Sequence, residues 1–218
     1  MIKRHNLTFF ADPATIVVPQ SHNEDIMTQP AKVLASCDVR RLCARAGQGR
    51  FALRNRLIVL LSFKSGLRAC EIAGLDWSMI LTPRRRVAAS ITVAGHIAKN
   101  GRGRHIPIHP DLKRALERHH RAEGGPSTGP VVRSQRGTHM TPRSIVNWFS
   151  ALYEQLGLEG CSSHSGRRTF ITNAARMVAK TGGSLRDVQE LAGHSALTTT
   201  ERYIEGDRAA QRKLVRML

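Results

Sequence analysis

The segment Leu191-Ala192-Gly193-His194-Ser195-Ala196-Leu197-Thr198-Thr199-Thr200-Glu201-Arg202-Tyr203-Ile204 carries a helix-ending glycine, a histidine and, nine residues beyond it, a tyrosine. Thr198 and Glu201 stand in capping-box register, which predicts a short helix over 198–204. Upstream, Ser165–Lys180 and Ser184–Ala192 read as two further capped helices. Thr141-Pro142 is a cap followed by proline, and Ile145, Trp148, Phe149, Leu152 and Leu156 follow at helical spacing. Pro110–His120 reads as a helix whose basic end, His119-His120, is a solvated face. The middle differs in kind. Val87–Val93 and His105–Ile108 are short and rich in β-branched residues, and Asn100-Gly101 between them is a two-residue hairpin signal. Before them, Leu53–Phe63 is apolar enough for a buried helix, Ser65-Gly66-Leu67 breaks it, and Ala69–Leu75 resumes. Val33, Leu34, Cys37 and Leu42 leave an apolar stripe. Residues 1–30, with Pro13, Pro19 and Pro30 and little periodicity, read as an N-terminal extension with weak structure of its own. The expected fold is mainly α with a small antiparallel β-sheet (α+β), in one unit over 31–218.

Lys and Arg number 34 against 16 Asp and Glu, a net charge of +18 spread along 218 residues. That excess calls for a polyanionic partner. Nucleic acid comes first, because cations that neutralise phosphates release condensed counterions; an anionic membrane or a ribosome-like assembly stands behind it. The longest tight apolar run, Leu57–Leu61, is far short of the ~18 residues a membrane span needs. Phe9-Phe10 is soon interrupted by Asp12 and Pro13, so no signal peptide is read. A soluble, cytoplasmic, nucleoid-associated protein is expected. Cys37, Cys43, Cys70 and Cys161 form no CxxC pair and read as reduced thiols, with no metal and no cofactor expected.

Four local patterns carry chemistry, and each has a plain alternative. Arg68 and Glu71, three apart on a helix, let a carboxylate orient a guanidinium, or form a surface ion pair. Lys99 beside the Asn100-Gly101 turn, with Arg102 and Arg104 following, is held out from the sheet, or belongs to a basic loop on phosphates. His164 and Arg167 stand together near a helix start that favours an anion, or serve as a cap and a solvated arginine. A lone tyrosine such as Tyr203 is ordinarily packing. The set is more specific than its members: it runs R…K…HxxR…H…Y along the chain.

That ordered set resembles the tyrosine recombinase (phage integrase) family over residues 31–206, the extent of the family's catalytic domain. The family's first arginine maps to Arg68 with its acid at Glu71, and the hairpin lysine to Lys99, followed by Arg104 and Ile106-Pro107-Ile108. The HxLRH motif maps to His164-Ser165-Gly166-Arg167-Arg168, the LGH motif to Ala192-Gly193-His194, and the nucleophile to Tyr203. Ser65 stands for the usual threonine, Gly166 for leucine and Arg168 for the second histidine. Most members also carry an N-terminal core-binding domain, which residues 1–30 are too short to supply; compact inverting members and truncated remnants are the nearest in length.

The resemblance implies a site-specific recombinase that cuts and rejoins double-stranded DNA through a 3′-phosphotyrosine, without ATP or metal. In it Arg68, Arg167 and His194 hold the phosphate, Lys99 protonates the leaving 5′ oxygen, His164 takes the tyrosine proton, and Glu71 holds Arg68 and His164. Arg102, Arg104, Arg168 and Arg202 are expected to touch DNA. A homotetramer on DNA is implied, with Arg208–Leu218 as an amphipathic helix on a neighbour or on its own domain, and the short chain leaves room for an accessory DNA-binding factor as a further partner. The competing readings are a catalytically incompetent DNA-binding remnant, a type IB topoisomerase-like relaxase and a ribonucleoprotein component.

Overall fold

Helix α2 (Ala52–Ser65) is apolar around its whole circumference from Leu57 to Phe63, and those side chains are buried. A helix of that kind has no face to offer water, so it takes the centre. The computed structural model describes residues 31–99, 101–204, 212, 215 and 216. Around α2 pack α1 (Ser36–Ala46), α4 (Pro110–Ala122) and α6 (Ser165–Met177), while α3 (Ala69–Gly74) lies against α5 (Pro142–Gln155). Strands β1 (Ser90–Val93) and β2 (Arg104–Pro107) pair antiparallel, with Ser90 opposite Pro107 and Val93 opposite Arg104. The chain continues through α7 (Leu185–Ala192) to α8 (Leu197–Glu201). The mainly helical α+β fold is as expected.

Helix starts follow the local chemistry in several places. Thr141 accepts from the Ser144 N–H to cap α5. Ser184 and Asp187 bond reciprocally at the start of α7. The expected box at Thr198 does not form: α8 begins one residue earlier, with extended Ala196 as its uncapped start, so Thr198 and Glu201 lie inside it.

Two other expectations change. The strands are not joined by a two-residue turn at Asn100-Gly101; Ala94–Gly103 separates them and contains a 3-10 turn at Gly95–Ile97. Its Ile97 lies so close over Gly74 of α3 that a Cβ there would sit 2.6 Å from the Ile97 Cγ2, which ties the connection to α3. His119 is buried, not solvated: its Nε2 meets the Val131 carbonyl at 2.9 Å, and its ring centroid is 5.9 Å from that of buried Trp77. His120 bonds the Pro126 carbonyl at 2.8 Å. The amphipathic pattern of α4 carries both rings onto the Trp77 core.

The main core contains Leu42, Leu61, Ile72, Trp77, Ile91 and Phe149. A smaller one, Ile171, Val188 and Ala192, gathers Phe170, Val178, Leu185 and Tyr203 where α6, α7 and α8 meet. Residues 1–30 and most of the segment 208–218, expected as an amphipathic helix, fall outside the described residues. No described helix is long and apolar enough to cross a membrane.

Candidate active site

Gly66 ends α2 in the left-handed conformation, and Arg68 follows in extended geometry as the residue that starts α3. Glu71 is fully buried and accepts from the Arg68 backbone N–H at 2.8 Å and from its Nη1 at 3.1 Å. Arg104 on β2 forks onto the same carboxylate, Nη1 to Oε1 at 2.8 Å and Nη2 to Oε2 at 2.9 Å. Burial alone would raise the Glu71 carboxyl; the Arg104 guanidinium, helped by Arg68, more than reverses that and holds it below the ordinary carboxylate range.

These bonds revise two expectations. A carboxylate offers about four lone-pair positions, and Arg68 and Arg104 between them make four bonds to Glu71, so Arg104 takes the place expected for His164. Arg104, expected to touch DNA, turns its guanidinium inward, with a side chain only 7% exposed.

Arg167 lies on the first turn of α6 and is 4% exposed. Its Nη1 donates to the Gly66 carbonyl at 2.8 Å and its Nη2 to the Ala192 carbonyl at 2.6 Å. Burial, with Arg68 next to it, lowers its pKa to about 10, which leaves it cationic at neutral pH. Past Ala192 the chain turns through left-handed Gly193, φ 65°, into His194. His194 Nδ1 lies 2.9 Å from the buried Thr200 hydroxyl. Burial, then Arg167, Arg68 and Arg104, lower His194 to about 4, so its imidazole is neutral at pH 7.

Tyr203 lies two residues past the end of α8 and is half-buried. Its ring stacks on His194 with centroids 5.5 Å apart and planes 24° apart, and the Arg168 guanidinium lies 5.8 Å from its centroid. His164, at the N-cap of α6, is lowered by desolvation, then by Arg167, Arg68 and Lys99, so it sits in the field of the same cations. Lys99 is exposed on the strand connection. The fold thus gathers Arg68, Lys99, His164, Arg167, His194 and Tyr203 into one neighbourhood.

Arg102 is exposed on the wall of a cleft of about 400 Å³ that also borders Arg104, Gln189 and His194; Arg202 is exposed beside Tyr203. A roomier cleft of about 580 Å³ between α1, α2 and α4 is lined by none of Arg68, Lys99, His164, Arg167, His194 and Tyr203. Tyr153 is buried against Phe149, and burial pushes its phenol pKa up, away from nucleophilic use. Among the described residues no three His, Cys, Asp or Glu side chains converge as a metal-ligand set.

The model of the phage integrase family matches residues 32–209. This chain belongs to the phage integrase family. Its relatives include the tyrosine recombinase XerC of Pelobacter propionicus, 30% identical over 159 residues that cover 70% of this chain and 48% of the relative. XerC of Mycobacterium sp. (strain KMS) is 30% identical over 205 residues, 88% of this chain and 63% of the relative. The phage integrase domain described here therefore spans about half to two thirds of the length of the curated relatives it matches. Among solved structures, XerA recombinase superposes with a TM-score of 0.66 at 21% identity, covering 85% of this chain and 64% of that one. A lambda integrase dimer bound to a COC′ core site gives 0.63 at 20%, covering 82% and 50%. The fold is that of the tyrosine recombinases.

Sequence reasoning missed Thr200 as the partner of His194 and the carbonyls of Gly66, Leu191 and Ala192 as arginine acceptors. The threonine lay six residues past His194, in a run of three threonines whose members the sequence does not distinguish. A backbone carbonyl leaves no mark in the sequence.

Proposed function

We propose that this chain is a site-specific DNA strand transferase that cleaves and rejoins double-stranded DNA through Tyr203. The Tyr203 phenol oxygen attacks a phosphodiester, forming the Oη–P bond of a 3′-phosphotyrosine while the P–O5′ bond breaks. His164 accepts the phenol proton and Lys99 supplies one to the departing 5′ oxygen. Arg68 and Arg167 neutralise the non-bridging oxygens as charge gathers on them. With the Thr200 hydroxyl donating to Nδ1, neutral His194 keeps its proton on Nε2 and donates a hydrogen bond from it to the phosphate. The link conserves the energy of the broken bond, so a 5′ hydroxyl reverses the step without ATP.

The observation that carries this reading is Tyr203 stacked on His194 within the field of Arg68 and Arg167. Arg104 is forked onto the single negative charge of Glu71, and the positive charge of Arg68, Lys99 and Arg167 leaves a place for a phosphate. The proposed partner is double-stranded DNA within the cytoplasmic nucleoid, gripped further by Arg102, Arg168 and Arg202. The proposed assembly is a homotetramer on two duplexes, with an accessory factor completing the grip. The lambda integrase dimer on its core site and the Tn1549 transposon integrase in complex with a circular intermediate DNA support, by likeness, DNA as the partner and more than one copy on it.

The test is a library of nicked duplexes of random sequence, in which the short fragment bearing the released 5′ hydroxyl diffuses away after cleavage, so that the enzyme stays trapped on the 3′ phosphate. In EDTA the wild type is expected to yield denaturant-stable adducts, and Tyr203→Phe to yield none while still shifting DNA. Binding without any adduct would make the chain a DNA-binding protein that no longer cleaves; strict dependence on a divalent ion would refute the arginine-based chemistry.

A further inference from the structure

Arg104 joins two segments far apart in sequence. Its Nη1 and Nη2 hold both oxygens of Glu71, and its Nε donates to the Leu191 carbonyl at 3.1 Å. Glu71 in turn fixes the backbone and guanidinium of Arg68. Leu191 belongs to the last turn of α7, and the adjacent Ala192 carbonyl accepts from Arg167. Carbonyls at a helix C-terminus lack intrahelical partners and carry partial negative charge, so two guanidinium groups satisfy and anchor that end. Gly193 is fitted to the same contact: a Cβ there would lie 2.9 Å from the Arg104 Cδ and 3.2 Å from its Nε. His194 follows immediately.

We propose that Arg104 is a positioning residue that ties Glu71 to the end of α7, and so fixes Arg68 and His194 relative to each other. This rests on the strand-transfer reading and gives Arg104 a task other than DNA contact. Exposed Arg102, two residues earlier, is the one free to meet the DNA backbone. A forked, buried guanidinium–carboxylate pair sets both distance and orientation, which a lysine at the same place cannot do.

The experiment measures single-turnover cleavage of a trapping duplex, and DNA affinity across a salt series, for the wild type, Arg104→Gln, Arg104→Lys, Glu71→Gln and the Arg104→Gln/Glu71→Gln pair. Arg104→Gln is expected to slow cleavage about 100-fold, the loss a misplacement of the order of an ångström produces. Arg104→Lys should slow it about 10-fold or more, since it keeps the charge without the fork. Affinity and salt slope should not change in either, and the pair should be no slower than its worse member, because both residues act as one unit. Arg102→Ala gives the contrasting pattern, weaker binding and a salt slope smaller by about one. That pattern in the Arg104 variants, or multiplying losses in the pair, would overturn the proposal. A further reading needs no cleavage: in ¹⁵N NMR of the DNA-free wild type the Arg104 Nε–H should be resolved and protected from exchange, and Glu71→Gln should remove that protection. An unprotected Nε–H overturns the proposal even should Arg104→Gln fail to fold. A wild type that forms no adduct while its Nε–H stays protected refutes strand transfer and leaves the clamp as a purely structural feature, so the two failures are told apart.

Discussion

The proposed chemistry asks one hydroxyl, that of Thr200, to set the use of a neutral histidine, His194. With its pKa lowered to about 4 by burial and three arginines, the DNA-free imidazole carries one proton at neutral pH, on either nitrogen. The Thr200 hydroxyl lies 2.9 Å from Nδ1, and by donating there it leaves Nε2–H free to donate in turn, the arrangement the proposed chemistry requires. Thr200→Val keeps the shape and removes the donor. Single-turnover cleavage at pH 8 is expected to fall about tenfold, the worth of one hydrogen bond. As pH falls toward 4 and His194 takes up a second proton, Nε2–H is present whatever Nδ1 does, so the ratio of wild-type to variant rates should shrink between pH 6 and pH 4. A ratio independent of pH would show that Thr200 matters for packing alone.

Gly166 shows how two helices set the placement of Arg167. A Cβ at Gly166 would lie 2.1 Å from the Ser62 Oγ and 3.0 Å from the Phe63 Cδ2, so α6 approaches α2 as closely as a bare backbone allows. Leucine, usual at this motif position in the family, does not fit there. Gly166→Leu should cost about 1–3 kcal/mol by overpacking, seen as a fall in Tm of roughly 2–10 °C; an unchanged Tm would mean that α6 is free to shift. The elements with strong local signals, α2 with its apolar circumference and α5 with its Thr141-Pro142 start, were legible in the sequence. The strand connection was not, because Asn100-Gly101 describes a turn by its two residues, whereas Ile97 packing over Gly74 decides where that connection runs. His119 was misread for the same reason: its neighbours in sequence are basic, but its neighbours in space are Trp77 and the Val131 carbonyl.

For the whole molecule, the ordered set from Arg68 to Tyr203 made the candidate site legible, since each of those residue types has a distinct task at a phosphate. What stayed hidden is the scaffold beneath it. Glu71, Arg104 and the end of α7 bind segments more than a hundred residues apart, and a single sequence records neither the fork nor the carbonyls that receive it. The net charge of +18 pointed to a polyanion but not to the chemistry done on it. Strand transfer requires that a phosphate end up on one phenol. Peptide mapping by mass spectrometry of the trapped, nuclease-trimmed adduct reads this directly. A nucleotide carried by the peptide containing Tyr203, linked through its 3′ phosphate, is the expected result; a nucleotide on any other residue, or one linked through its 5′ phosphate, would contradict the account.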